Sequence, residues 1–394
     1  MHILPLLLGL IIGTAVLLDS FQTIILPRRP VTRFRLTRLF LVSTWIPYTR
    51  LVHMVRDRRV REQLYSYFGP LSLLLLFVVW AISLVTAFAL IYFGLHASFI
   101  DPWHPVTTVD RLRSCFYVSG STLFTLGLGD IVPARHITRF LVDVEAGTGL
   151  GFIALVIGYV PVLYTAFSAR EMSVALLDAR AGSPPTAGEL LLRHHFDGGD
   201  KALTALLAEW ERWCATILET HISYPILCYY RSQHDNQSWL SALTAVLDAC
   251  ALLITTVEGP SQRQAQLTFA TGRHALVDIG HVFHRETEEQ RLRQGAFTRL
   301  NDDEFSRLCD LLREGGVAVC GDIGVRARLD ALRKLYEPSA CAMAHYLRFD
   351  LPRWSPPPRD PAKTDIWSSI AQLRSPVVSP QATASHLGDD DGFF

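Results

Sequence analysis

The stretch STLFTLGLGDIVP, Ser121 to Pro133, decides how this chain is read. It separates two long apolar segments, yet it is too polar and too rich in glycine to be a membrane helix or a buried strand. Gly127 and Gly129 supply backbone angles that only glycine visits cheaply. Leu126 and Leu128 alternate with them, the Thr125 hydroxyl adds an oxygen at one end, and Asp130 lies where the loop turns back. Pro133 stops any extension. A Gly-Asp pair is also an ordinary turn, so the reading rests on the flanks.

Those flanks are membrane-like. Leu71 to Leu95 carries no charge and is long enough to cross roughly 30 Å of hydrocarbon. Arg139 to Phe167 is a second apolar run after the loop, interrupted by Asp143 and Glu145 in its first third. Carboxylates at membrane depth are costly unless paired or facing water, so both are functional candidates. The alternative is an interfacial pair satisfied by Arg139 or by water. Gly147, Gly149, Gly151 and Gly158 permit close helix contact, and Gly158 with Pro161 offers a bend. Arg111 to Phe124 reads as a short helix leading into the loop, with Ser119, Gly120 and Ser121 allowing close approach.

Thr125-Leu126-Gly127-Leu128-Gly129-Asp130 resembles the selectivity filter of potassium channels, usually written T-V-G-Y-G-D. The resemblance covers about Pro70 to Phe167, less than half the chain, and departs at Leu128, where the family carries an aromatic. The second pore loop of some tandem-pore potassium channels also reads Gly-Leu-Gly-Asp. The resemblance implies an outer helix, a pore helix, a filter whose backbone carbonyls hold potassium ions, and an inner helix. It also implies that the carboxyl end of the pore helix favours a cation. Thr125 to Asp130 are then the ion-binding residues. Asp143 and Glu145 fall behind or beside the filter as supports, and Gly158 and Pro161 fall where inner helices gate. One such loop is a quarter of a filter, so a homotetramer is implied.

With 394 residues and 49 % apolar content, a membrane half plus a soluble half fits. Zero formal net charge suggests no nucleic-acid partner. Residues 1–26 read as a spanning helix, with a peripheral helix or a processed segment as alternatives. Residues 27–69 are basic, with Arg28, Arg29, Arg33, Arg35, Arg38, Arg50, Arg56, Arg58, Arg59 and Arg61 among interleaved apolar residues. Such a segment stays on the cytoplasmic side and suits the headgroup region over anionic lipid; a merely topological loop is the other reading. The pore module is 70–168.

Residues 169–349 carry helical periodicity, giving an all-α membrane protein in which a potassium-channel-like pore module is joined to an all-helical cytoplasmic domain. Thr186 and Asp200 are candidate caps. Residues 350–394, Pro-rich and then acidic, read as a disordered tail. No G-x-G-x-x-G follows a strand, so a nucleotide-binding domain is not supported. His274, Asp278 and His281, with His284 nearby and His221 and His234 more distant, are too sparse a set to read as a metal site. The segment from His221 to His234 is either a buried polar seam or the lining of a ligand pocket. Seven cysteines without C-x-x-C spacing read as reduced core thiols. The expected protein is a potassium channel of the inner membrane. The alternative is a non-conducting or weakly selective membrane-anchored helical sensor or scaffold. An enzyme in the soluble half lacks a visible nucleophile–base pairing.

Overall fold

The computed structural model describes residues 3–26, 36–102, 105–232, 237–257, 259–283, 299–320 and 324–356. The chain divides into two units: Met1–Arg170 with Thr216–Ser232, and Glu171–Ala215 with Gln233–Phe394. Four of the expected basic residues, Arg28, Arg29, Arg33 and Arg35, lie outside the described residues, as do His234 and His284.

In the first unit, helices α1 (Ile3–Ile24), α2 (Leu36–His53) and α3 (Arg58–Gly94) are followed by a two-residue strand β1 (Phe99–Ile100). Helix α4 (Thr108–Leu123), strand β2 (Val132–Pro133) and the first part of α5 (His136–Ala181) complete the sequence through the loop. Among the described residues, α1, α3 and α5 are long and apolar enough to cross a membrane. Among the described residues the protein is all-α apart from the β1–β2 ribbon and an isolated bridge between Val257 and Val319.

Two boundaries differ from the sequence expectation. Helix α3 begins at Arg58, not near Leu71, because Asp57 caps it, its carboxylate accepting from the Arg59 N–H at 2.8 Å. Its first turn is charged, which hid it from an apolar scan, and it runs through Pro70 at the cost of one backbone hydrogen bond. Helix α5 continues past Phe167 to Ala181 and through both Gly158 and Pro161. The division placed at 168 therefore falls inside a helix.

Buried Asp19 ties the first three helices together. Its carboxylate accepts from the Trp80 indole of α3 at 3.1 Å and from the Thr37 hydroxyl of α2 at 2.6 Å. The polar last turns of α1 thus pack on protein. Helix α2 buries Leu41, Trp45, Thr49 and Val52, spaced at helical intervals, and leaves Leu39 and Leu51 exposed, as is Met54 just past its end.

The second unit is a helical bundle. It holds the end of α5, then α6 (Ala187–Arg193), the body of α7 (Gly199–Ser223), α8 (Trp239–Thr255), α9 (Gln262–Phe283), α10 (Asp302–Glu314), α11 (Val325–Arg333) and α12 (Glu337–Leu347). Thr186 caps α6 as expected, accepting from the Glu189 N–H. Asp200 does not cap α7, because the helix already begins at Gly199 and Asp200 lies in its first turn. Helix α8 is enclosed on nearly every side, with Leu243, Val246, Leu247 and Cys250 buried and Asp248 as a buried carboxylate among them.

The tail expectation needs correction over 350–356. Trp354 is 2 % exposed, its carbonyl accepts from the Gly188 N–H at 2.9 Å, and the Arg299 and Arg333 guanidinium groups stack over its ring at 5.6 and 5.5 Å. These arginines belong to a buried charge network. Arg299 grips Asp248 at 2.7 Å and pairs with Glu337 at 3.0 Å, and Arg333 pairs with Glu337 at 2.9 Å. Burying such charges is tolerable only when they are paired. A Pro-rich composition gives no hint of this, since the anchoring comes from one aromatic finding two distant arginines. Residues 357–394 lie outside the described residues.

Candidate functional site

Helix α4 is set by a capping box. The Thr107 hydroxyl accepts from the Asp110 N–H, and the Asp110 carboxylate accepts from the Thr107 N–H. At the other end the chain turns tightly, the Thr125 N–H donating to the Thr122 carbonyl at 3.0 Å and the Leu126 N–H to the Ser121 carbonyl at 2.8 Å. The loop that follows has a regular backbone alternation. Thr125, Gly127 and Gly129 have φ of 57°, 58° and 78°, while Leu126 and Leu128 do not enter the positive region. Positive φ at the glycines matches their residue type. At Thr125 it is strained, because a branched side chain disfavours that region by about 1–3 kcal/mol.

Leu126 and Leu128 are 63 % and 61 % exposed within one chain. Asp130 accepts a hydrogen bond from the Tyr117 hydroxyl of α4 at 2.8 Å, which fastens the far end of the loop to its own helix. Beyond it, β2 pairs antiparallel with β1, Val132 opposite Ile100.

The two carboxylates of α5 separate. Asp143 is exposed, whereas Glu145 is 0 % exposed. The Tyr92 hydroxyl of α3 donates to Glu145 at 2.5 Å, and Ser119 of α4 also bonds its carboxyl. Arg139 instead donates to the Pro133 carbonyl, and the partners of Glu145 are Tyr92 and Ser119. One buried carboxyl joins the three helices around the loop. Phe88, Cys115 and Val118 pack around Tyr92. Gly149 lies against the end of α4, where any Cβ would meet the Leu123 carbonyl. A Cβ at Gly147, Gly151 or Gly158 would have open space beside it in the chain.

Some 35 Å back along α3, at about 1.5 Å per residue, lies a second constellation in the first unit. The last turns of α7 and the 3-10 turn Pro225–Tyr229 fold against α2, α3 and α5. Buried Arg170 of α5 donates to the carbonyls of Leu227 and Tyr230, each at 2.9 Å, and lies 3.3 Å from the His221 ring. Tyr229 packs edge-on to Trp45 and against Phe68, Tyr230 against Phe167, and Tyr224 against Tyr159. Arg231 pairs with Glu62 at 3.0 Å over the Tyr65 ring. Burial and the Arg170 charge hold the His221 imidazole well below its usual range. The segment is thus a buried seam, the first of the two readings. Sequence reasoning missed the roles of Arg170 and Asp19, because the partners of each are distant in the chain.

In the second unit, His274 pairs with Asp278 at 3.4 Å. Among the described residues no group of three or more His, Cys, Asp or Glu side chains converges as metal ligands. The cysteines are free and mostly buried, burial pushing the Cys214 thiol up to about 12.

A short helix and a glycine loop held between two membrane-length helices define a class, and the comparison agrees: residues 75–165 match the ion-channel family. The chain is also similar to YdjJ, an uncharacterized membrane protein of Bacillus subtilis (strain 168), at 26 % identity over 317 residues. That alignment takes in 75 % of this chain and 90 % of the relative, so it extends well beyond the pore region. No solved structure matches.

Proposed function

We propose that the protein is a potassium-selective channel of the cell membrane in which four copies complete one filter. The observation that carries this reading is the φ alternation at Thr125, Gly127 and Gly129 within the region similar to ion channels. Residues that alternate in hand turn successive peptide groups toward one side. A row of carbonyls facing one axis replaces the water that potassium sheds on entry. Thr125 to Gly129 would hold the ion, with Asp130 at the outer end. The exposure of Leu126 and Leu128 in a single chain supports a loop completed by neighbouring copies.

In this reading the helices around the loop form the pore module, and the bundle that runs on to Trp354 is a helical domain on the cytoplasmic side, whose ligand is unknown. The exposed apolar face of α2, with Arg50 beside it and Arg56 and Arg58 following, would lie on anionic lipid. No catalytic role is assigned.

The test is flux in liposomes with ion substitution, comparing potassium with sodium, alongside native mass measurement in detergent. A tetramer passing potassium in preference to sodium supports the reading. No potassium flux under any voltage, pH or lipid would favour the membrane-anchored scaffold. A conducting monomer or dimer would refute the arrangement.

A further inference from the structure

The contacts between α3 and α5 can be followed away from the loop. Tyr92 meets Glu145, then Trp80 meets Phe152, then Phe77 meets Tyr159. About two turns further along each helix lie Gly69 and Phe167. Here a third element stands between them. The Tyr230 ring packs on Phe167 with centroids 5.5 Å apart. It also lies so close to Gly69 that a Cβ there would come within 2.6 Å of it.

The ring is held in that gap through its backbone. The Arg170 guanidinium donates to the carbonyls of Tyr230 and Leu227, each at 2.9 Å, and sits over the Phe167 ring at 5.1 Å. On either side of Tyr230 in the chain, Tyr229 packs on Trp45 and Phe68, and Arg231 pairs with Glu62. Between the direct contacts and the filled gap, α5 has a bend point. Pro161 has no N–H to give to the preceding turn, and Gly158 has open space beside it. The part of α5 beyond Pro161 is thus free to change its distance from α3 while the contacts nearer the loop persist.

We propose that Tyr230 is a wedge that sets the spread of α3 and α5 at their end far from the loop, and that Arg170 is the positioning residue that keeps it there. The consequence for conduction rests on the channel reading, in which α5 lines the axis and α3 lies outside it. A ring between the two pushes α5 toward the axis and narrows the inner mouth of the pore. Both residues act through α5 and neither belongs to the loop.

The test uses the full chain with Tyr230→Ala, which removes the wedge, Tyr230→Phe, which keeps it, and Gly69→Ala, which adds a methyl group to the same gap. Spin labels on cysteines replacing exposed Tyr67 and Ser168, with Cys320 and Cys341 changed to serine, report the distance between the helices. That distance should shorten by about 3.5 Å, one ring thickness, in Tyr230→Ala, hold in Tyr230→Phe and lengthen in Gly69→Ala. An unchanged distance in Tyr230→Ala overturns the wedge, whether or not the protein conducts. In single-channel recordings with potassium, Tyr230→Ala should raise the ratio of open to closed time by about fivefold or more, and Gly69→Ala should lower it. Unitary conductance and the preference for potassium over sodium should stay as in wild type. A shortened distance with an unchanged ratio, or an altered ion preference, overturns the gating role. A wild type that passes no potassium overturns the channel reading instead, and the labels still decide the wedge. If Tyr230→Ala does not assemble, Gly69→Ala carries both measurements with the opposite sign, and no shift in either overturns the proposal.

Discussion

Gly149 and the Leu123 carbonyl are in such close contact that a Cβ built on Gly149 would come within 2.1 Å of that oxygen. A backbone atom cannot swing aside as a side chain can, so α5 and the end of α4 must part if anything larger is placed there. Gly149→Ala is expected to cost about 1–3 kcal/mol, as overpacking does, and to disturb conduction by shifting the loop. Gly151→Ala, with open space around it in the chain, is the control. Thermal melting and flux of the two variants check this. Equal losses would mean that Gly151 also makes close contacts, between copies.

Gly127→Ala tests the loop by a different physics. Space is open around Gly127, so the cost arises from its φ of 58° alone, about 1 kcal/mol per chain. Repeated in four chains, this should abolish or deselect potassium flux. Thr125→Ala should be milder, removing one hydroxyl, and Leu128→Tyr should preserve or sharpen selectivity against sodium. Unchanged flux in Gly127→Ala would show that this loop is not the conduction path.

His221 gives the Arg170 seam a pH dependence of known sign. Its folded pKa is depressed by burial and then by Arg170 from the usual 6.5. Below about 6.5 the unfolded chain takes a proton that the folded chain refuses, so stability falls as the pH falls. Above that value neither state is protonated and the contribution is flat. The slope is at most about 1.4 kcal/mol per pH unit for one site. Hydrogen exchange of residues 224–231 should show protection lost between pH 7 and pH 5, and His221→Gln should flatten that loss. An unchanged slope in the variant would place the titration elsewhere.

Trp354 should matter to the bundle as much as a core residue does. Trp354→Ala is expected to cost about 3–5 kcal/mol, because the ring is buried beneath Arg299 and Arg333. A chain ending after Pro356 should melt like the full-length protein, and one ending after Phe349 should melt lower. Equal melting of the two truncations would show that the seven residues from Asp350 contribute little.

Much was legible from local chemistry. Long uncharged runs mark membrane helices because hydrocarbon offers no partner to backbone polar groups. Glycines alternating with leucines mark a loop of unusual hand, and residues 169–349 showed helical periodicity with Thr186 as a cap. The pore helix was placed to within a few residues, as Arg111 to Phe124 against Thr108–Leu123. The helix ends at Arg58 and Ala181 were not legible, because polar turns add no apolar signal while hydrogen bonding continues regardless.

What the sequence determined by itself, then, is the list of elements and the character of the loop, since both follow from neighbours in the chain. The tertiary structure alone decided which polar residues meet. Glu145 and Asp143 look alike in the sequence, yet only Glu145 turns inward to Tyr92 and Ser119. Asp19 finds Trp80, Arg170 finds the carbonyls of Leu227 and Tyr230, and Trp354 finds Arg299. Each pairing joins residues far apart in the chain, and each exists because a polar group enclosed by apolar packing must be satisfied by whatever the fold brings within reach.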